Sequence, residues 1–179
     1  MKPLLETILS RKLHDPKVAI YKWLDQYGIT NYTLNDKGEI DVDGSVDLSY
    51  KDIEEFPYFI QFGVVRGYFN CDNNKLISLR GCPRVIKKGF NCSFNNLTSL
   101  RGCPRVVKKS FYCHDNNLVS LEGSPETVSG SFYCSFNNLT SLEGAPKIVK
   151  EVFNCRKNTT QFTEDDVRKV CKVGKHIYV

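Results

Sequence analysis

Long apolar runs are missing from this 179-residue chain, and no stretch reaches the roughly 20 apolar residues that a membrane-spanning helix requires. Met1 to Ser10 does not read as a secretory signal and has no A-x-A-like cleavage site, so the expected compartment is the cytoplasm, with no membrane partner. Histidine is scarce, with only His14, His114 and His176, and there is no C-x-x-C pair, no G-x-S-x-G and no G-x-x-x-x-G-K-[ST]. The spacings of a zinc site, a nucleophile elbow and a phosphate loop are therefore absent. No catalytic residue, metal or cofactor is expected, and the chain reads as non-enzymatic. Neither charge sign dominates, with 25 Lys plus Arg against 20 Asp plus Glu, and 41% of residues are hydrophobic. That composition excludes a disordered or fibrous chain and fits one globular domain.

What the sequence does have is a repeat. Cys71, Cys92, Cys113, Cys134 and Cys155 recur every 21 residues, each two residues after Phe69, Phe90, Phe111, Phe132 or Phe153. Three residues after each cysteine stands Asn74, Asn95, Asn116, Asn137 or Asn158. Two leucine columns follow, Leu76, Leu97, Leu118, Leu139 and Leu79, Leu100, Leu121, Leu142. Glycine at 81, 102, 123 and 144 and proline at 83, 104, 125 and 146 mark a turn, and Val65, Ile86, Val107, Val128 and Val149 complete the period. So many columns in register define a solenoid.

F-x-C is a two-residue alternation, so Phe and Cys share the inner side of a short strand and the residue between them points outward. One coil cannot bury its apolar side alone, so coils stack into a parallel sheet along one side, with equivalent residues in ladders about 4.8 Å apart. The Asn column is expected to bond backbone groups of the next coil, with Asn96, Asn117 and Asn138 sharing that work. Five of the eight cysteines fall on inward strand positions, the others being Cys82, Cys103 and Cys171. Parallel Cβ vectors in a ladder are poor disulfide geometry, and a role as small buried hydrophobes accounts for the thiols.

Phe69-x-Cys71-x-x-Asn74-x-Leu76 and its successors resemble the L-x-L-x-x-N-x-L core of the leucine-rich repeat family, in its short bacterial form. The wording of Gly130-Ser-Phe-Tyr-Cys-Ser-Phe-Asn-Asn-Leu-Thr-Ser-Leu-Glu-Gly144, with the lead-in Asp41-Val-Asp-Gly-Ser-Val-Asp-Leu-Ser49, resembles small repeat proteins encoded by large tailed bacteriophages. The resemblance implies an α/β repeat solenoid with a leucine-rich-repeat-like parallel sheet and helical caps at both ends. It implies a scaffold rather than a chemistry, and no segment resembles the ligase domain of some bacterial repeat effectors.

Repeat arrays carry atypical ends. Residues 1–45 are expected to form a helical and hairpin cap. Segments 2–13 and 16–27 have helical periodicity, the second with Asp15 as N-cap and Pro16 at its first position, and Tyr32 to Leu34 and Ile40 to Val42 flank a turn. The solenoid is expected over 46–162, with Val46-x-Leu48 in a degenerate first coil, then four regular 21-residue coils and a degenerate last coil. Residues 163–179 are expected as a helical cap, with Thr163 and Asp166 as a capping-box variant opening a helix through about Cys171.

Function is expected in the positions that vary. Asn70, Asn91, Tyr112, Tyr133 and Asn154 form one outward row. Beside it run Asp72, Ser93, His114, Ser135, Arg156 and then Asn73, Phe94, Asp115, Phe136, Lys157. Phe94, Tyr112, Tyr133 and Phe136, with His114, Asp115, Arg156 and Lys157 around them, form the candidate partner-binding surface, because exposed aromatics with a polar rim are characteristic of interface hot spots. The alternative is that these aromatics stack only for stability. His114 and Asp115 are read as contact residues rather than an acid-base pair.

From residue 73 to 114 there is no acid, while Arg80, Arg84, Lys87, Lys88, Arg101, Arg105, Lys108 and Lys109 stack as a second candidate surface for an anionic partner. The leading reading is a protein-protein interaction module that, given the phage resemblance, binds and modulates or inhibits a host protein, such as a defence factor. The alternatives are weak nucleic-acid binding through the basic coils and a virion or structural assembly role.

Overall fold

The structure, a computed structural model, describes residues 16–179. The helix expected over 2–13, and Asp15, lie outside the described residues. The chain winds as a β-solenoid of about seven turns, with one short strand of each turn in each of two sheets. One sheet consists of β3 (Val46–Asp47), β5 (Phe69–Asn70), β7 (Phe90–Asn91), β9 (Phe111–Tyr112), β11 (Phe132–Tyr133), β13 (Phe153–Asn154) and β15 (Ile177–Tyr178), all parallel. The other consists of β1 (Tyr32–Leu34), β2 (Ile40–Val42), β4 (Phe62–Val65), β6 (Val85–Ile86), β8 (Val106–Val107), β10 (Thr127–Val128), β12 (Ile148–Val149) and β14 (Lys172–Val173). In it only the β1 and β2 hairpin is antiparallel.

This second sheet departs from the single sheet expected. From β6 onward its strands are two-residue pieces such as Val85–Ile86, too short to display an alternation in sequence. The valine column that completes each period nonetheless pairs coil to coil, Val85 with Val106 and Ile86 with Val107.

The Phe-x-Cys sheet follows the repeat register. Phe69, Phe90, Phe111, Phe132 and Phe153 pair in succession and are fully buried, with neighbouring ring centroids 6.1, 5.1, 5.4 and 5.4 Å apart. Backbone bonding runs on past the strands, from Cys71 N–H to Asn91 O (2.8 Å) and Asn73 N–H to Ser93 O (3.1 Å). All eight cysteines are free and buried, and the ladder thiols donate to the next coil, Cys92 Sγ to Tyr112 O at 3.4 Å and Cys113 Sγ to Tyr133 O at 3.3 Å.

The asparagine ladder reaches back rather than forward. Asn95 Nδ2 donates to Cys71 O in the preceding coil (3.0 Å) and to Cys92 O in its own (3.2 Å), while its Oδ1 accepts from Leu76 N–H (2.9 Å). Amide geometry explains the direction, because the Oδ1 and Nδ2 groups satisfy the corner of the coil on which they stack. Asn96, Asn117 and Asn138 are exposed, and of these Asn96 shares that work, its Nδ2 donating to Lys75 O in the preceding coil at 3.5 Å.

Coils approach closely at the glycine column. Gly123 has φ +94°, and a Cβ there would lie 2.6 Å from Arg101 N, so no side chain fits between these corners.

At the ends, α1 (Pro16–Gln26) turns Ile20, Trp23 and Leu24 inward, and Trp23 meets Phe56 edge-on with centroids 6.0 Å apart. Val46 and Leu48 take the Phe and Cys places of the first coil, since Val46 pairs with Phe69 and Leu48 N–H donates to Asn70 O at 2.7 Å. Thr163 begins α2 (Glu164–Val170), and its side chain and that of Asp166 each bond the other's backbone N–H. Residues 163–179 are not all helical, because Lys172–Val173 and Ile177–Tyr178 rejoin both sheets.

Candidate functional site

The outer face of the Phe-x-Cys sheet is ordered by its parallel register. Tyr112 pairs with Tyr133, both half-buried, and their rings stack with centroids 4.9 Å apart and planes 3° from parallel. His114 extends the aromatic surface, lying edge-on to Tyr112 at 6.4 Å and to Phe94 at 5.2 Å. Its Nδ1 is 2.8 Å from Asp115 Oδ2. The structure thus brings Phe94, Tyr112, His114, Asp115 and Tyr133 together, while Phe136 stands in the same column as Phe94 two coils on and is 54% exposed.

That column has an unusual backbone. Tyr50, Asn73, Phe94, Asp115, Phe136 and Lys157 all lie in the left-handed region, with φ between 50° and 58°. Asn and Asp tolerate this conformation, whereas a bulky side chain there is strained. Tyr50, Phe94 and Phe136 nevertheless occupy it while 75%, 47% and 54% exposed. Aromatic and polar residues therefore alternate coil by coil along one edge of the face.

The row between these columns is less available than the sequence implies. Ser93 and Ser135 are buried, and neither the Ser93 hydroxyl nor Asp72 Oδ1 has a hydrogen-bond partner among the described residues. Asp72 Oδ2 instead accepts from Asn91 Nδ2 at 3.1 Å. Arg156 and Lys157 are exposed, and the Arg156 guanidinium lies 4.6 Å over the Tyr178 ring.

Three aromatic residues of this region were not singled out from the sequence. Tyr178 extends the outward row because it pairs with Asn154, which the Phe153-to-Ile177 spacing of 24 residues conceals. Tyr50 lies two residues past Leu48, as Phe94 lies two past Cys92, so its place was recoverable from the degenerate coil. Tyr68, 52% exposed, lines a groove of about 420 Å³ together with Asn70, Gly89, Asn91, Tyr112 and His114, and Lys88 Nζ lies 5.3 Å from its ring centroid.

All eight residues of the basic patch are exposed. Arg80, Arg84, Arg101 and Arg105 line a cleft at the turn before the second sheet. Lys87, Lys88, Lys108 and Lys109 follow its strands β6 and β8, and Lys87 borders a different recess with Asp41, Asp43 and Arg66. Arg84 Nε is 2.6 Å from Glu39 Oε1, and Arg101 Nη2 is 2.7 Å from Glu122 Oε1. Burial pushes the Glu39 carboxyl up, but its bonds with Arg84 and Asn35 bring it below the usual carboxylate range.

Among the described residues, no group of three or more His, Cys, Asp or Glu side chains is arranged to hold a metal ion, and no helix is long and apolar enough to cross a membrane. Comparison with protein-family models, curated proteins and solved structures gives no match.

Proposed function

We propose that this solenoid is a non-enzymatic protein-binding module whose partner docks on the outer face of the Phe-x-Cys sheet. The observation that carries the reading is the placement of Phe94 and Phe136, large apolar side chains held exposed in left-handed backbone. Asn73 and Asp115 occupy the same column with a better fit to that backbone, so local stability does not account for phenylalanine there. A partner that covers these rings does. The Tyr112 and Tyr133 stack supplies rigid amphipathic area beside them, and the exposed Arg156 and Lys157 supply the polar rim.

The finer reading follows from the sequence resemblance. We read the array as a leucine-rich-repeat-like protein encoded by a bacteriophage, acting in the bacterial cytoplasm on a host protein, such as a defence factor that it inhibits.

Site-specific photo-crosslinking tests the docking face. A crosslinking amino acid replaces Phe136 in one variant and Ile148, exposed on the opposite sheet, in another, and each is irradiated in bacterial lysate with and without nuclease. A protein band captured through position 136 alone, and unchanged by nuclease, supports the reading. Equal capture through both positions, or loss of the band with nuclease, removes it.

A further inference from the structure

Two consecutive coils repeat the same five residues at one corner, Arg80-Gly-Cys-Pro-Arg84 and Arg101-Gly-Cys-Pro-Arg105. Stacking places the pairs one coil spacing apart, about 4.8 Å. Both corners line one surface cleft of about 480 Å³, with the four arginines, Gly81, Cys82, Pro83, Gly102 and Cys103 among its lining. We propose that this cleft binds a compact polyphosphate anion, gripped by Arg80 and Arg105. The inference concerns a different surface from the protein-docking face and does not rest on it.

The arginines divide into two kinds. Arg84 and Arg101 are held by Glu39 and Glu122, which fixes their guanidinium groups and cancels part of their charge. Arg80 and Arg105 have no carboxylate partner among the described residues, and each comes from a different coil and a different flank of the turn. Two unmatched forks facing one cleft suit an anion with oxygens on more than one phosphorus, because a guanidinium recognises paired phosphate oxygens bidentately. The floor adds no opposing charge, since burial holds the Cys82 thiol well above its ordinary range and pushes that of Cys103 up to about 12, so both are neutral.

The charge pattern favours a compact ligand over a polymer. At the same corner the next two coils read Glu122-Gly-Ser-Pro-Glu126 and Glu143-Gly-Ala-Pro-Lys147, so positive charge gives way to acid within one coil spacing. Glu39 lies against Arg84 at the other end. A phosphate backbone following the stack would run into those carboxylates at distances shorter than the Debye length of about 8 Å at physiological salt. The lysines that would continue a track, Lys108 and Lys109, lie beyond β8 and outside the cleft lining.

Isothermal titration calorimetry with inorganic triphosphate, and separately with a single-stranded oligonucleotide at the same ionic strength, tests the assignment. The expected result is one triphosphate per chain. The double variant Arg80→Ala with Arg105→Ala should weaken it at least about tenfold, the Lys pair of substitutions at those positions should weaken it less, and Lys108→Ala with Lys109→Ala should leave it unchanged. Circular dichroism confirms folding of each variant, which is expected because all four side chains are exposed. No binding at millimolar triphosphate, or equal loss in the arginine and lysine double alanine variants, overturns the site. Tighter binding of the oligonucleotide, lost with Lys108 and Lys109, replaces it with a polymer track.

Discussion

Tyr112 and Tyr133 lie face to face across adjacent coils, 4.9 Å between ring centroids and 3° from parallel, because parallel pairing holds their backbones in register. The stack is therefore imposed by the spacing of the coils, and its outer edge continues through His114 to Phe94. A rigid plate of this kind loses little side-chain entropy when a partner covers it.

A double-mutant cycle with Tyr112→Ala and Tyr133→Ala, measured by urea denaturation, should give a coupling of about 0.5–1.5 kcal/mol. Both side chains are only half-buried, so the single variants remain folded. Each should weaken partner capture about thirtyfold, since a central aromatic anchor commonly carries about 2 kcal/mol or more. Strictly additive stabilities would mean that the rings do not stack in solution.

Phe136→Asn should stabilise the protein and impair its binding. The residue sits at φ 51° with 54% of its surface exposed, so the change relieves left-handed strain and gives up little burial. The denaturation free energy is expected to rise by about 0.5–1 kcal/mol, against a left-handed penalty of about 1–2 kcal/mol for an ordinary side chain. A loss of stability would show that the ring packs on the array and would remove the main support for a docking face.

The array was legible in the sequence wherever identity recurs at fixed spacing. Phe69 to Phe153, the five cysteines and the five asparagines fix the coil, and Val46-x-Leu48 preserves enough of it to mark the first turn. The second sheet was not legible, because two-residue strands such as Val106–Val107 carry no alternation and their pairing is a property of the stack. The last turn was hidden by α2, which lengthens the step from Phe153 to Ile177. On the candidate face the aromatics were readable, but the burial of Ser93 and Ser135 was not, because short side chains remain close to the backbone ladder while larger neighbours stand above them. The left-handed column was hinted at by Asn73 and Asp115 and disguised by Phe94 and Phe136.

Asn116→Ala should destabilise the array by about 1–3 kcal/mol, the cost of leaving a buried backbone group unpaired. Asn116 Nδ2 donates to Cys92 O at 3.0 Å, and its Oδ1 accepts from Leu97 N–H at 3.0 Å, both in the preceding coil. The exposed neighbour provides the comparison, and Asn117→Ala should change stability by no more than about 0.5 kcal/mol. Equal midpoints for the two variants in a denaturant titration would contradict the bonding seen at the coil corner.

Stability should also fall in alkali through the buried thiols. Burial raises the Cys103 thiol from 9.0 to about 12, and those of Cys155 and Cys171 to about 11. In the unfolded chain these groups ionise near their ordinary value, while in the folded chain they keep their protons. Above pH 9 the folded state therefore binds more protons than the unfolded one, and stability decreases as pH rises until the folded thiols ionise in turn. Below pH 9 both states hold the proton and the effect vanishes. Cys103→Ala isolates one contribution, and alanine already occupies the equivalent corner position at Ala145. Between pH 8 and pH 10.5 the wild-type chain should lose about 2 kcal/mol more than the variant, at about 1.4 kcal/mol per pH unit for one proton. Urea titrations at the two pH values measure the difference, and parallel losses in both proteins would show that Cys103 ionises freely in the folded state.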